Sequence, residues 1–433
     1  MTTDDRRKYV LSARQQSLGM VTRRTLFAAT AAAAVTPFLP TPTATAGAKP
    51  TATHRRPVRL RFPRPTGRHL VGTTELHLID PRRDDPYVPG RPRELMISLW
   101  YPSTNAKAPR APYLPPLTAN LYAEGAAVAL QQPLGTVDWV GARNHAGLSS
   151  PVLPGRRPVV VFSPGFGVPR GLGSIMVAEL ASRGYVVVTV DHTYEAAGVE
   201  FPGGRLAVQT LPQGSYALLA REARVADVRF VLDELGRLAR GQNPDAEGRR
   251  LPRGLGDILD LTRIGAFGHS AGGITSADVM DVDARVKAGI DMDGTLAYGY
   301  PNPADSPTVA HGTQRPFLLM GAGGTGPGGG PQTHRTEPSW GLFWDNSSGW
   351  KRDLNIPHGQ HYTFVDHQAL IPWFQRFFTV PPELIANTIG TVDPDRILRS
   401  LRTYIPAFFD QHLRGRPSAW RDSPRHPDVR FVQ

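Results

Sequence analysis

Residues 263–273, Arg-Ile-Gly-Ala-Phe-Gly-His-Ser-Ala-Gly-Gly, constrain the chain more than any other stretch. An apolar run enters Gly268-His269-Ser270-Ala271-Gly272, and the helix-compatible segment Ile274–Met280 leaves it. That pattern reads as a strand, a sharp turn and a helix, with a serine at the turn. Glycines on both sides are required because a side chain there would meet the neighbouring strand or helix, and the strained turn lifts the serine oxygen above the sheet edge. Gly-x-Ser-x-Gly alone is a weak signal, since both residues are common. Here it sits in the one context that gives it meaning, and no other such pentapeptide occurs in the chain. The bland alternative is a glycine-rich turn with an idle serine.

A serine hydroxyl is a poor nucleophile at neutral pH. It needs a base for its proton and donors for the oxyanion that forms. On a sheet of this kind the partners follow in the order Ser, Asp or Glu, then His. Asp291 and Asp293 both end the apolar stretch 286–294. Spaced by two, they are expected on the same side of a strand. Asp293, beside Gly294, is preferred because a loop there can aim it at a histidine. Asp291 is the runner-up, and its plain alternative is a carboxylate bonded to nearby loop amides. Later histidines are His311, His334, His358, His361, His367, His412 and His426. The glycine-containing stretch Pro357–Phe364 suits a base delivered on a late loop, and it leaves both His358 and His361 open. The oxyanion donors are expected to be main-chain N–H groups. One is that of Ala271, and the other belongs to the turn Pro164-Gly165-Phe166-Gly167, where Phe166 is the choice.

The rest of the chain supplies a sheet for this turn. Val58–Phe62, Gly72–Asp80 and Glu94–Tyr101 read as early antiparallel strands, the last ended by Pro102. Arg157–Ser163 and Tyr185–Val190 are buried-type runs around a helix over Gly173–Arg183, and strands recur at 286–294 and Pro316–Gly321. Apolar strands alternating with helices imply a mostly parallel central sheet with helices on both faces. Residues 103–157 read as a proline-rich insertion with one helix over Leu117–Gln131, and residues 193–213 read as a loop. Tyr216–Leu238 carries the apolar stripe Val225, Val228, Leu232 and Leu235, and its charged residues are expected to face solvent. A second insertion is expected near 321–350. Its glycine-rich part, 321–330, lacks the Gly-Lys-Ser/Thr ending of a phosphate loop and reads as a flexible loop. Asp395–His412 reads as a closing helix.

The amino terminus reads as an address. Arg23-Arg24-Thr25-Leu26-Phe27 opens a short apolar run, and Ala44-Thr45-Ala46 offers small residues at cleavage spacing. Residues 1–46 are therefore expected to be a twin-arginine-type signal for export of a folded chain, and residues 47–433 one catalytic domain. The chain has no cysteine, so disulfides, thiol nucleophiles and cysteine-bound metals are excluded. Of the formal charge of +12, the first 46 residues hold six basic and two acidic side chains, leaving +8 for the rest. That part has no dense Lys/Arg tract interleaved with aromatics, so a nucleic-acid partner is not expected.

Four stretches resemble the platelet-activating factor acetylhydrolase family, of the plasma and intracellular isoform II type. They are Val159–Gly167, Gly268–Gly273, Gly289–Gly294 and His361–Asp366. Glu94–Pro102, ending in Trp-Tyr-Pro, is similar to an early strand of that family. The resemblance spans most of residues 90–412 and is loose between the motifs. It implies an α/β-hydrolase fold and a calcium-independent hydrolase of short acyl esters of phospholipids and of simple esters. By position it implies Ser270 as nucleophile, Asp293 as acid, His361 as base, and Phe166 and Ala271 as oxyanion donors. It is this resemblance that favours His361 over His358. The chain departs from the family at Pro164, often a histidine there, and at Ala271, often bulky; residues 103–157 match poorly.

The expectation is a secreted serine ester hydrolase that uses no cofactor and no metal. Its partner is a small-molecule or lipid ester, with transient contact at a membrane surface if the ester is a lipid. A general carboxylesterase or polyester hydrolase is the alternative. A non-catalytic secreted binding protein on the same scaffold is the third reading, opposed by the ordered Ser270, Asp293 and His361 set.

Overall fold

The computed structural model describes residues 56–214, 216–417 and 426–433; the expected signal segment, 1–46, lies outside them. The chain opens with β1 (Val58–Arg59), β2 (Leu70–Asp84), β3 (Pro92–Ser103), β4 (Arg110–Pro112), α1 (Pro116–Ala129), β5 (Val137–Asp138) and β6 (Arg143–Leu148). Its middle holds β7 (Arg157–Ser163), α2 (Ser174–Ser182), β8 (Val186–Asp191), β9 (Gly198–Phe201), β10 (Arg205–Val208), α3 (Ala217–Ala239), β11 (Leu259–His269), α4 (Ala271–Val282) and β12 (Val286–Met292). It closes with α5 (Pro307–His311), β13 (Phe317–Ala322), α6 (Pro338–Asn346), β14 (Lys351–Ile356), α7 (His367–Phe374), α8 (Pro382–Thr388), α9 (Pro394–Arg414) and β15 (Arg430–Phe431).

Eleven strands form one sheet in the order β15-β14-β13-β12-β11-β7-β8-β3-β2-β6-β4. The six from β14 to β8 are parallel to their neighbours, and β3, β2 and β15 join antiparallel. Alternation along β7 splits the core. Val159 and Val161 pack on the face covered by α3 and α4, while Val160 and Phe162 pack on the face covered by α2 and α9. Both faces are buried, which is why these strands read as unbroken apolar runs. Each such side chain contributes about 1.5–3 kcal/mol of burial. The fold is the mixed α/β architecture expected, with a mostly parallel sheet flanked by helices.

Four local expectations change. The stretch read as a loop at 193–213 contains the hairpin β9–β10. The stretch 103–157 contributes α1 but also extends the sheet, since β6 pairs parallel with β2 and β4 pairs antiparallel with β6. Its Tyr113, Tyr122 and Trp139 join Leu370, Ile371 and Phe374 of α7 in a further apolar cluster. These strands are too short and too polar for alternation to reveal them. Val58–Phe62 yields only the two residues of β1, paired with β5 away from the main sheet.

The fourth change concerns α3. Glu222, Arg229, Asp233 and Arg237 face solvent, but Arg221, Arg224 and Asp227 are buried. Neighbours cover α3 on two sides, so these charges are satisfied by partners rather than water. Arg221 forks onto Asp278 of α4 at 2.9 and 2.6 Å, and Arg224 onto Glu195 at 2.6 and 2.5 Å. Asp227 takes Arg93 of β3 at 3.0 and 2.6 Å, Arg83 at 2.6 Å and His192 at 2.9 Å. Burial alone would raise the Asp227 carboxyl, but the two arginines and the His192 hydrogen bond hold it far below its usual range.

Candidate active site

The serine turn stands at the carboxyl end of β11, between β7 and β12. Ser270 has φ 57° and ψ −123°, a region costly for a residue with a Cβ. The turn is over-determined by its surroundings. The Ser270 N–H donates to the Met292 carbonyl at 2.8 Å, and the N–H groups of Gly273 and Ile274 donate to the Ser270 carbonyl at 2.9 and 3.2 Å. A Cβ on Gly272 would stand 1.8 Å from the Ser163 carbonyl oxygen, so α4 can approach β7 only with glycine there.

The turn after β7 lies against the serine. A Cβ on Gly165 would come within 3.5 Å of the Ser270 Cβ. Phe166 follows, half-buried, its ring stacked on Tyr216 at 5.2 Å and 20°. Ala271 is the first residue of α4, so its N–H is one of those that find no partner inside the helix.

The acid and the imidazole arrive on two other loops. β12 ends at Met292, and Asp293 turns away with φ +64°. The parity expected of Asp291 and Asp293 is therefore broken at the strand end. Asp293 Oδ2 meets His361 Nδ1 at 2.6 Å, with the Asp293 side chain fully buried. Its Oδ1 accepts from the Ala322 N–H and the Thr325 hydroxyl, each at 2.8 Å. A buried carboxylate saturated in this way draws the imidazole proton to Nδ1 and leaves Nε2 as the basic nitrogen. Asp291 is directed elsewhere: its Oδ1 accepts from the Gly294 N–H at 2.9 Å. Burial first, then the charges of Asp293 and Glu337, push its carboxyl well above the usual range. His358 is exposed, and its carbonyl accepts the Thr391 N–H at 3.0 Å. Of the candidates, Asp293 and His361 are brought together, and Asp291 and His358 are not.

Several supporting residues were not legible. His269, the variable position of the pentapeptide, is buried and its Nε2–H donates to the His361 carbonyl at 2.7 Å; the two rings are 4.4 Å apart. Burial, then the neighbouring His361, pushes the His269 imidazole well below its usual range. It ties the histidine loop to the serine turn. Ala322 and Thr325 belong to the stretch read as a flexible loop, which instead wraps the acid. The available signal was its position, directly after the strand that neighbours the aspartate strand. Arg224, held by Glu195, donates to the Pro164 carbonyl at 2.8 Å and braces the turn that carries Phe166. Beyond His361, Asp366 accepts from Ser174 N and Oγ at 3.1 and 2.8 Å and from Ile175 N at 3.0 Å. These bonds cap α2 and anchor the far end of the same loop; burial still pushes the Asp366 carboxyl up to about 7.

Among the described residues no group of three metal-ligating side chains gathers. What the site presents is a serine on a strained turn that opens α4, an imidazole oriented by a buried carboxylate, and the turn after β7 packed beside the serine. That set suits acyl transfer through an oxygen nucleophile.

Comparison with known proteins agrees with this chemistry. Residues 57–202 match the model of the family described as platelet-activating factor acetylhydrolase, isoform II. A probable 1-alkyl-2-acetylglycerophosphocholine esterase of Arthroderma benhamiae is 27% identical over 401 residues, spanning 87% of this chain and 95% of that protein. A platelet-activating factor acetylhydrolase of Cavia porcellus is 25% identical over 52% of this chain and 57% of its own length. Among solved structures, a ferulic acid esterase from Streptomyces cinnamoneus superposes with a TM-score of 0.68. It is 38% identical and covers 85% of this chain and 98% of its own.

Proposed function

As the chain belongs to the platelet-activating factor acetylhydrolase isoform II family and is a carboxylic ester hydrolase, we propose that it cleaves short acyl esters of phospholipids or related lipids through an acyl-enzyme on Ser270. His361 Nε2 takes the proton from Ser270 Oγ as that oxygen attacks the ester carbonyl. The N–H groups of Phe166 and Ala271 hold the tetrahedral oxyanion. The ester C–O bond breaks, and the alcohol leaves with the proton from His361. Water, deprotonated by His361, then attacks the acyl-enzyme and releases the carboxylic acid, restoring Ser270. Asp293 orients His361 and stabilises its cationic form throughout.

The observation that carries this reading is the 2.6 Å contact of His361 with the buried Asp293, beside the Ser270 turn at φ 57°. A second reading, a carboxylesterase for aromatic esters, is favoured by two facts. The ferulic acid esterase is the more similar of the relatives compared, at 38% against 27% identity. The half-exposed Phe166–Tyr216 stack also offers an aromatic surface beside the proposed oxyanion turn. Specificity constants for a 2-acetyl glycerophosphocholine and for ethyl ferulate, measured on one preparation, separate the two. A higher kcat/KM for the phospholipid supports the first, and a higher one for the ferulate replaces it.

The proposal includes export, on the strength of Arg23-Arg24 and the short apolar run alone. Replacing both arginines by lysine and assaying the culture medium tests it; undiminished secretion would reject the twin-arginine route. Among the described residues no helix is long and apolar enough to cross a membrane. Contact with a lipid substrate is proposed as transient.

A further inference from the structure

We propose that a basin at the amino-terminal edge of the parallel strands binds a compact, multiply charged oxyanion of the phosphate type, at a site separate from Ser270. The basin has a volume of about 580 Å³. Seven arginines and His69 border it, against a single carboxylate, Asp410. Arg157 opens β7, whose other end leads to Phe166, and Arg263 lies in β11, whose other end leads to Ser270. Six or seven residues of strand place the basin about 20 Å from the serine, on the opposite edge of the sheet.

Helix ends recruit arginines without any ligand, and that explains part of the cluster. Arg183 pairs with Glu179 at 2.6 Å, and Arg414 with Asp410 at 2.8 Å and with the Arg183 carbonyl at 3.1 Å, near the carboxyl ends of α2 and α9. Arg263 pairs with Asp260 at 2.7 Å. It does not explain Arg68, Arg156, Arg157 and Arg416, for which no carboxylate within ion-pair distance is found among the described residues. Arg157 is the informative one. Its Nη2 donates to the Leu153 and Pro154 carbonyls at 3.3 and 3.1 Å, but its buried Nε has no hydrogen-bond partner. A buried unpartnered donor on a cation costs free energy unless something supplies an acceptor.

The electrostatics agree with that geometry. Burial, then the like charges of Arg414 and Arg68, lower the pKa of Arg157. Burial, then Arg157, Arg68 and Arg414, lower that of His69. A phosphate-type ligand matches the feature because guanidinium groups bind its oxygens in pairs and at high charge density. The concave shape and limited volume favour a compact polyanion over a duplex or an extended surface.

The test is calorimetric titration of the full chain with sodium tripolyphosphate at low ionic strength. Three proteins are compared: wild type, Arg68→Gln/Arg416→Gln, and Arg229→Gln/Arg240→Gln, which removes the same charge from exposed positions of α3 and its end. The basin pair makes no ion pair among the described residues, so that variant should fold and keep wild-type hydrolysis of p-nitrophenyl acetate. One-to-one binding, weakened about tenfold or more in the basin variant and kept in the control, is expected. Phosphatidylglycerol vesicles and a single-stranded oligonucleotide serve as rival probes, and tripolyphosphate should displace either. Binding absent at about 1 mM probe, equal loss in both variants, or vesicle or oligonucleotide binding that tripolyphosphate leaves intact would overturn the proposal. The readout is binding, so it stands or falls independently of the ester chemistry.

Discussion

Replacing Asp293 by asparagine should do far more damage than its single-atom change suggests. Asp293 Oδ1 accepts two donors, the Ala322 N–H and the Thr325 hydroxyl, while Oδ2 faces His361 Nδ1 at 2.6 Å. The Ala322 amide can only donate, so the asparagine oxygen stays on that side and its NH₂ turns to the histidine. Nδ1 must then accept, the ring proton moves to Nε2, and His361 can no longer take the proton of Ser270. The expected loss is on the order of 1,000- to 10,000-fold in kcat, about 4–5.5 kcal/mol of barrier. KM should change little, because no substrate contact is removed. Asp291→Asn is the matched control. Burial pushes that carboxyl well above its usual range, and its Oδ1 accepts from the Gly294 N–H rather than facing His361, a bond an amide oxygen can keep, so kcat should stay within about threefold. Steady-state hydrolysis of p-nitrophenyl acetate, with circular dichroism to verify folding, measures both. If folded Asp293→Asn kept a tenth of the activity, or if Asp291→Asn fell as far, the assignment of the acid would be wrong.

Three other outcomes are expected. Arg224→Met leaves Glu195 as a buried unpaired charge, and should cost about 3–5 kcal/mol in urea unfolding, more than Arg229→Met at an exposed position of the same helix. His269→Gln frees the His361 carbonyl from the serine turn and should lower kcat about 10- to 100-fold through misplacement of the base. Its pH–rate profile should keep its shape, which separates positioning from proton transfer. Burial lowers His367 to about 3 beside the Tyr122 hydroxyl at 3.1 Å. A native histidine with a depressed pKa favours the unfolded chain once that chain protonates, below about 6.5. Stability is thus intact above that pH and falls between about 6.5 and 3. The His367 contribution lost from pH 8 to pH 5 is about 2 kcal/mol, and denaturant titrations should show His367→Gln losing less over that interval than the wild type.

What could be read from the residues alone follows burial. Val159–Ser163 and Ile264–His269 are covered on both faces, so their apolar runs announced central parallel strands, and the glycines around Ser270 announced the turn between them. The edge of the sheet carried no such signal, because β4 and β6 are short and polar. Asp293 was preferred over Asp291 for its place beside Gly294, but both were expected on the same side of a continuing strand; the backbone turn at φ +64° that parts them had no sequence signal. The buried charges of α3 were misread because a helix shows its neighbours only through its apolar stripe. Arg93 and Asp227, 134 residues apart, meet through the fold rather than through any local pattern. For the same reason a histidine hidden inside the serine pentapeptide gave no hint that it holds the loop carrying His361.

The most direct measurement is labelling with a fluorophosphonate probe, followed by peptide mapping. Such probes react with serines that a base has activated and whose oxyanion is held. One adduct on Ser270 is predicted, lost in Ser270→Ala and strongly slowed in His361→Ala, with ester hydrolysis falling in parallel. Labelling at a different residue, or full hydrolysis by Ser270→Ala, would contradict the account.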